Sequence, residues 1–362
     1  MDVIELTRTL VNIPSVTNDE GAVAQHVIQA LEAQGWHVRT QEIAPEGDAQ
    51  PSLPRLNVLA LADPDVVPQV VLTTHLDTVP PFIACTEDDD YLYGRGTCDA
   101  KGIFAAQWCA AERLRQAGHR GVALLGVVGE ETDSWGAKQV KALLPRAGWL
   151  VDGEPTQSKP ASGAKGILAL TVRAKGRTCH SAYPELGHSA VHDLIPALAR
   201  VVQAELPFEP FFGPTTVNIG RVSGGLAPNV LAPAAEAQVL IRLGAAAEPV
   251  LAAVKALLGD AVELEITSMA DPHKIHVPEG QAGEVVRFGS DVPYLAEVGE
   301  TLLVGPGSIH DAHTAHEKVG KAELVASVAL FHDIALALLD AEPPLGSTGH
   351  EHHHQPRVHR RG

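Results

Sequence analysis

Apolar positions along the chain fall into short runs separated by Gly, Pro and polar clusters, and their spacing alternates between helix and strand periods. Val3, Ile4, Leu6, Leu10, Val11 and Ile13 form a helical stripe that Pro14 ends. Val23, Val27, Ile28 and Leu31 repeat at helical spacing, Gly35 closes that helix, and 36–43 reads as a strand. Residues 57–62 and 69–74 are apolar, the second run β-branched and suited to a strand covered on both faces. An Ala-rich helix runs to residue 116, 121–129 is an apolar strand, 136–144 a helix and 149–151 a short strand.

The rhythm then changes. Strand at 166–174, helix at 189–205, strands at 215–222 and 235–243, helix at 249–258 and strand at 261–267 make a β-α-β-β-α-β order, sufficient for a compact insert. An α/β pattern resumes with an element beginning at 285–288, a strand at 301–304, a Gly305-Pro306-Gly307 loop and a long helix at 317–339. The predicted fold class is α/β: an open mixed sheet covered by helices, built from 1–163 and 270–343, with the insert at 164–269. Residues 344–362 are His-rich and aperiodic and read as a disordered or appended tail.

Composition narrows the function. At 362 residues with 45% hydrophobic and 20% charged residues the chain can bury a large core, and disorder or fibre is excluded. A net charge of −17 argues against a nucleic-acid surface and fits an enzyme that gathers carboxylates around metal ions. The tail carries three Arg and one Glu from Gly349 onward, so the remainder is more acidic still. Cys85, Cys98, Cys109 and Cys179 show no metal or disulfide spacing, which points to a reducing cytoplasm. No signal peptide is apparent and no stretch approaches a membrane-spanning length, so neither membrane nor nucleic-acid partners are expected.

The candidate chemistry lies where strands end. His75 and Asp77 follow 70–74, Glu130 and Glu131 follow 122–128, Glu154 follows 149–151, and His313 follows 302–304 beyond the Gly-Pro-Gly loop. In an open α/β sheet the carboxyl ends of strands line the ligand crevice, so these residues would converge. His, Asp and Glu without thiolates suit Zn²⁺, with Co²⁺ or Mn²⁺ as substitutes, and the set is too long for one tetrahedral ion. Asp77, two residues beyond His75, shares its face and could accept the far imidazole N–H. Adjacent carboxylates at 130 and 131 repel one another unless a cation or shared proton compensates. One would bind metal while the other takes a proton. A nucleotide-binding reading of Gly94-x-Gly96 fails because neither the dinucleotide nor the Walker pattern is present.

The segments His75–Pro80, Tyr93–Gly102, Gly129–Thr132, Asp152–Thr156 and Gly305–His313, in this order, resemble the di-zinc exopeptidase and deacylase family that includes acetylornithine deacetylase, succinyl-diaminopimelate desuccinylase and carboxypeptidase G. The likeness spans residues 3 to 340. It implies that His75 and Glu154 bind one zinc, Glu131 and His313 the other, that Asp99 bridges them, and that Glu130 is the general base. The insert resembles the family's lid, which also forms dimer contacts, so a homodimer is implied. His180 matches a residue that polarises the scissile carbonyl in a partner subunit's site, and Asn229 and Arg242 match positions holding the substrate's α-carboxylate. Ala100 and Ile103 depart from the Met and Gly common after the bridging Asp. Thr216 to Gly225 looks most like deacetylases acting on acetylornithine or acetylcitrulline. A metallo-dipeptidase, an aminopeptidase or an N-succinyl-amino-acid desuccinylase on the same site is the alternative.

Overall fold

The computed structural model describes residues 1–341 except 46 and 48; the tail reading at 344–362 lies outside the described residues. The order is α1 (Val3–Val11), α2 (Gly21–Ala33), β1 (His37–Ile43), β2 (Arg55–Leu61), β3 (Val70–His75), β4 (Thr86–Glu87), β5 (Tyr91–Tyr93), α3 (Lys101–Gln116), β6 (Val122–Val127), α4 (Trp135–Leu143) and β7 (Trp149–Asp152). Then come β8 (Ala161–Ala164), β9 (Gly166–Lys175), α5 (Ala190–Gln203), β10 (Thr216–Gly224), β11 (Ala234–Leu243), α6 (Ala247–Leu258), β12 (Glu263–Ala270), β13 (His273–Lys274) and β14 (Glu284–Val286). The chain closes with α7 (Val292–Leu295), β15 (Glu300–Leu303), β16 (Lys318–Gly320) and α8 (Lys321–Leu339).

The described residues form two compact units, one from 1–160 and 290–341, the other from 161–289. In the first, a six-stranded sheet runs β1-β2-β6-β3-β7-β15. The pairs β6/β3, β3/β7 and β7/β15 are parallel, while β1/β2 and β2/β6 are antiparallel, so the sheet is mixed. Every residue of β3 and β6 is buried because both faces are covered. Val70, Leu72 and Leu124 pack in one layer with α1, α2, α3 and α8, and Val71, Ala123 and Leu125 in the other with α4 and α7. Ala105, Ala106, Ala110 and Ala111 are fully buried in α3, which packs against α1 and α8. At the chain start the Asp2 carboxylate caps α1, accepting from Ile4 N at 2.8 Å.

In the second unit β10-β11-β9-β12 form an antiparallel sheet, and Leu168, Leu170, Val239 and Ile241 pack against Leu194, Leu198, Val250 and Val254 of α5 and α6. The opposite face carries the half-buried Arg242 and Ile167.

Several expectations shift. Residues 270–289, expected with the catalytic part, join the second unit because β13 and β14 pair with β8. Lys318–Gly320, expected as helix, pairs with Tyr91–Tyr93, and the helix starts at Lys321. These short strands carry no periodicity long enough to see in sequence. Among the described residues one helix, Lys321–Leu339, is long and apolar enough to cross a membrane by length and composition, contrary to the expectation that none is. Leu324, Val328, Phe331, Ala335 and Leu338 bury one of its faces against the core, which accounts for its composition.

Candidate metal centre

Parallel pairing sets the carboxyl ends of β6, β3, β7 and β15 side by side, and the side chains expected from sequence meet there. His75 is the last residue of β3 and is 1% exposed. Its Nε2 lies 3.0 Å from Asp99 Oδ1. The other Asp99 oxygen, Oδ2, lies 3.2 Å from His313 Nε2, which is also 2.8 Å from Glu131 Oε2. One carboxylate thus faces two imidazoles through separate oxygens. His75, Asp99 and Glu154 each bring a ligand atom within 4.8 Å of the others, and so do Asp99, Glu131 and His313. His313 is 51% exposed at its side chain and opens the second group to solvent. His310 and His316, its neighbours in sequence, join neither group.

Asp77 sits differently from expectation. The atom that receives from His75 Nδ1 is its backbone carbonyl, at 3.0 Å; its carboxylate is 3.7 Å from that nitrogen. The carboxylate instead accepts the N–H groups of Gly129 at 2.9 Å, Glu130 at 3.2 Å and Glu131 at 3.2 Å, together with the Thr17 hydroxyl at 2.9 Å. Steric reach decides this: the i, i+2 geometry brings the carbonyl to the ring and leaves the side chain under the turn. Gly129 is required there, since it holds φ +81° and a Cβ would stand 2.8 Å from Arg55 Nη2. Arg55 is locked in a fully buried bidentate pair with Glu20, 2.8 Å at each contact.

The electrostatics call for cations. Burial and the charges of Asp291, Glu131 and Asp99 push the Glu130 carboxyl well above its ordinary range, His75 only partly offsetting them. Glu154 is raised well above its range by burial and by Glu130 and Asp99, and Glu131 is raised by burial. Burial also lifts Asp291 to about 7. His75 is buried, which disfavours its charged form, yet the Asp99 hydrogen bond and surrounding carboxylates hold it well above the ordinary value. His313 is pushed up to about 10 by hydrogen bonds to Asp99 and Glu131. Raised carboxyls and raised imidazoles side by side are what a cluster of acids without a compensating cation produces. Imidazole nitrogens and carboxylate oxygens around two adjoining points, one Asp between them, fit two borderline-hard divalent ions.

Sequence reasoning missed several contributors. Arg95 and Glu317 form a buried ion pair beside Asp99, although 317 reads only as a helix start in sequence. Asp152 and Asp291 are 2% exposed, and among the described residues Asp152 Oδ2 and Asp291 Oδ1 have no hydrogen-bond partner. Asp291 has no sequence signal, being a polar residue in an aperiodic stretch.

The remaining predicted residues belong to the second unit. His180 is exposed, and its Nδ1 accepts from Ala182 N at 3.1 Å, which leaves the proton of the neutral ring on Nε2. Asn229 is exposed and its carbonyl receives Ser181 N at 2.9 Å. Arg242 lies on β11 opposite Thr216 and Ile167, and burial lowers its pKa. Among the described residues no carboxylate pairs with it.

Two adjoining groups of metal-capable side chains with a further carboxylate beside them, at the carboxyl ends of the parallel strands of this mixed sheet, are the equipment of a metal-dependent amide hydrolase, and the comparisons bear this class out. The sequence model of peptidase family M20/M25/M40 matches residues 71–337, and the chain belongs to that family. A peptidase M20 domain-containing protein of Schizosaccharomyces pombe is 36% identical over 332 residues, covering 89% of this chain and 81% of that protein. A probable carboxypeptidase of Emericella nidulans is 35% identical, covering 93% and 89%. In fold, a tripeptidase from Staphylococcus aureus superposes with a TM-score of 0.78 at 22% identity, covering 93% of this chain and 98% of that one.

Proposed function

We propose that the protein hydrolyses the amide of a small N-acyl amino acid of the acetylornithine or acetylcitrulline type. The resemblance assigns the substrate's free carboxylate to Arg242 and Asn229 and the cleavage of the amide to the candidate metal centre. The observation that supports hydrolysis is the pair of ligand groups, His75, Asp99 and Glu154 with Asp99, Glu131 and His313, beside the Glu130 carboxyl that burial raises well above its ordinary range.

Zinc is the metal proposed, held by His75, Asp99 and Glu154 on one side and by Asp99, Glu131 and His313 on the other. When bound, the ions supply Lewis acidity and bring an attacking water's pKa toward about 7. Glu130 takes the proton of that water and passes it to the nitrogen as the C–N bond breaks, giving the free amine and a carboxylate. The resemblance assigns to His180, whose ring proton lies on Nε2, polarisation of the scissile carbonyl in a partner subunit's site. Asp77 holds the backbone of Glu130 and Glu131 in place. A homodimer through the second unit, and a cytoplasmic location, complete the proposal.

A carboxypeptidase or dipeptidase reading uses the same residues and is favoured by the name given to the Emericella nidulans relative. Zinc-reconstituted protein assayed against N-acetyl amino acids, N-succinyl amino acids and dipeptides separates the two. Turnover of acetylated amino acids above dipeptides supports the deacetylase; the reverse order replaces it with the peptidase. If Arg242→Ala leaves KM unchanged for every substrate, the carboxylate receptor is wrong.

A further inference from the structure

Asp99 and His313 stand on irregular backbone. Asp99 follows the 94–98 turn, and His313 holds a left-handed φ of +62° within a turn-rich loop. Neither has a strand ladder to fix it, as His75 has. Both loops converge on one buried pair. Glu317, 1% exposed, accepts through Oε1 the N–H groups of Gly96 at 2.8 Å, Cys98 at 3.2 Å and Asp99 at 3.1 Å. Its Oε2 pairs with Arg95 Nη1, which also donates to the Thr314 carbonyl at 3.2 Å. The Glu317 carbonyl receives Gly94 N at 3.0 Å. The ties run both ways: a carboxylate from the His313 loop holds the Asp99 turn, and a guanidinium from the Asp99 turn holds the residue after His313.

Buried ion pairs contribute little net stability compared with apolar packing, so stability alone is a weak reason for this one. Geometry is a better one. Oxygen and nitrogen ligands must sit within a few tenths of an ångström of their places, and neighbouring hydrogen bonds set those places. We propose that Arg95 and Glu317 form a positioning clamp that fixes the separation of Asp99 and His313 and so creates the second cation site, the one made by Asp99, Glu131 and His313. The clamp rests on the assignment of Asp99 and His313 as ligands. Neither clamp residue touches substrate.

The test is calorimetric titration of metal-free protein with Zn²⁺, bound metal being counted by elemental analysis, for wild type, Arg95→Met, Arg95→Lys and Glu317→Gln. Met removes the tie to Thr314 and keeps an apolar stem. Gln keeps an oxygen for the turn N–H groups and removes the charge that holds Arg95. Arg95→Met and Glu317→Gln are expected to weaken one of two binding steps about 10- to 100-fold and leave the other within about threefold. Arg95→Lys, which retains the charge, should recover part of the loss and carries the test if the Met variant does not fold. Folded variants whose two affinities both stay within about threefold of wild type would overturn the clamp. Equal weakening of both steps, following the loss of thermal stability, would do so as well. His313→Ala separates the two ideas: it should remove the same step, and if it binds two ions as tightly as wild type, the ligand assignment has failed rather than the clamp.

Discussion

Replacing Asp77 by Asn separates two jobs that a carboxylate two residues beyond a ligand His can do. If the side chain oriented the imidazole, its loss would lower metal affinity about 10- to 100-fold. The structure gives the ring to the backbone carbonyl of Asp77, which the substitution retains, and gives the carboxylate to three N–H groups of the 129–131 turn. In Asn the remaining oxygen can keep the Gly129 and Glu130 bonds, now neutral, each weakened by about 0.5–1 kcal/mol. The new amide NH₂ faces Glu131 N–H, stranding a buried donor at about 1–3 kcal/mol. The Thr17 hydroxyl can rotate to accept from the amide and should cost little. The total is a loss of about 2–5 kcal/mol from a stability of about 5–15, so the variant stays folded in most of that range. Urea denaturation of the metal-free protein measures the loss, and zinc titration measures affinity. Expected are lowered stability, zinc affinity at the His75 group within about threefold of wild type, and reduced kcat because Glu130 is less well held. Unchanged stability with zinc affinity down about tenfold or more would refute the assignment and return the carboxylate to the imidazole.

Other outcomes follow from the same geometry. Glu131→Gln should lose close to one equivalent of bound metal by elemental analysis, whereas Glu130→Gln should keep both and lose about 10²- to 10⁴-fold in kcat; full activity in the latter would remove Glu130 as the base. His313 is raised from 6.5 to about 10 in the folded protein, so the stability it contributes is fully present below pH 6.5 and is lost as pH rises through about 10. Raised Glu130 and Glu154 act in the same direction from the ordinary acid range upward. Metal-free protein should therefore melt at lower temperature as pH rises from 6.5 toward 10, and metal uptake at neutral pH should release protons, measurable by calorimetry in buffers of different ionisation enthalpy. No buffer dependence would contradict the protonated imidazoles. Gly129→Ala, forced into φ +81° with its Cβ 2.8 Å from Arg55 Nη2, should lose about 2–4 kcal/mol in urea denaturation. A loss below 0.5 kcal/mol would show that the Arg55–Glu20 pair yields easily.

Much of the architecture was legible along the chain because it rests on periodicity and on strand ends. The apolar runs at 70–74 and 122–127 announce buried strands, and the chemistry-bearing residues just past them, His75, Glu130, Glu131 and Glu154, are local in sequence. Parallel strands need only be neighbours for those ends to meet. The insert's β-α-β-β-α-β order was equally plain, since each element spans enough residues to show its period. Short pairings such as Lys318–Gly320 with Tyr91–Tyr93 were not, because three residues carry no period and their partner lies more than 200 positions away.

What only the tertiary structure decided is which atom does what at the centre. Sequence proposed Asp77 for the imidazole; the fold gave that task to its carbonyl and set the carboxylate under the Glu130–Glu131 turn. It also brought Glu317 and Arg95 to one point beside Asp99, joining residues separated by 222 positions. Residue type and order are enough to say that carboxylates and imidazoles gather at one edge of a sheet. Hydrogen-bond assignments among them depend on side-chain directions and distances of a few tenths of an ångström, which arise only when the strands, turns and loops pack together.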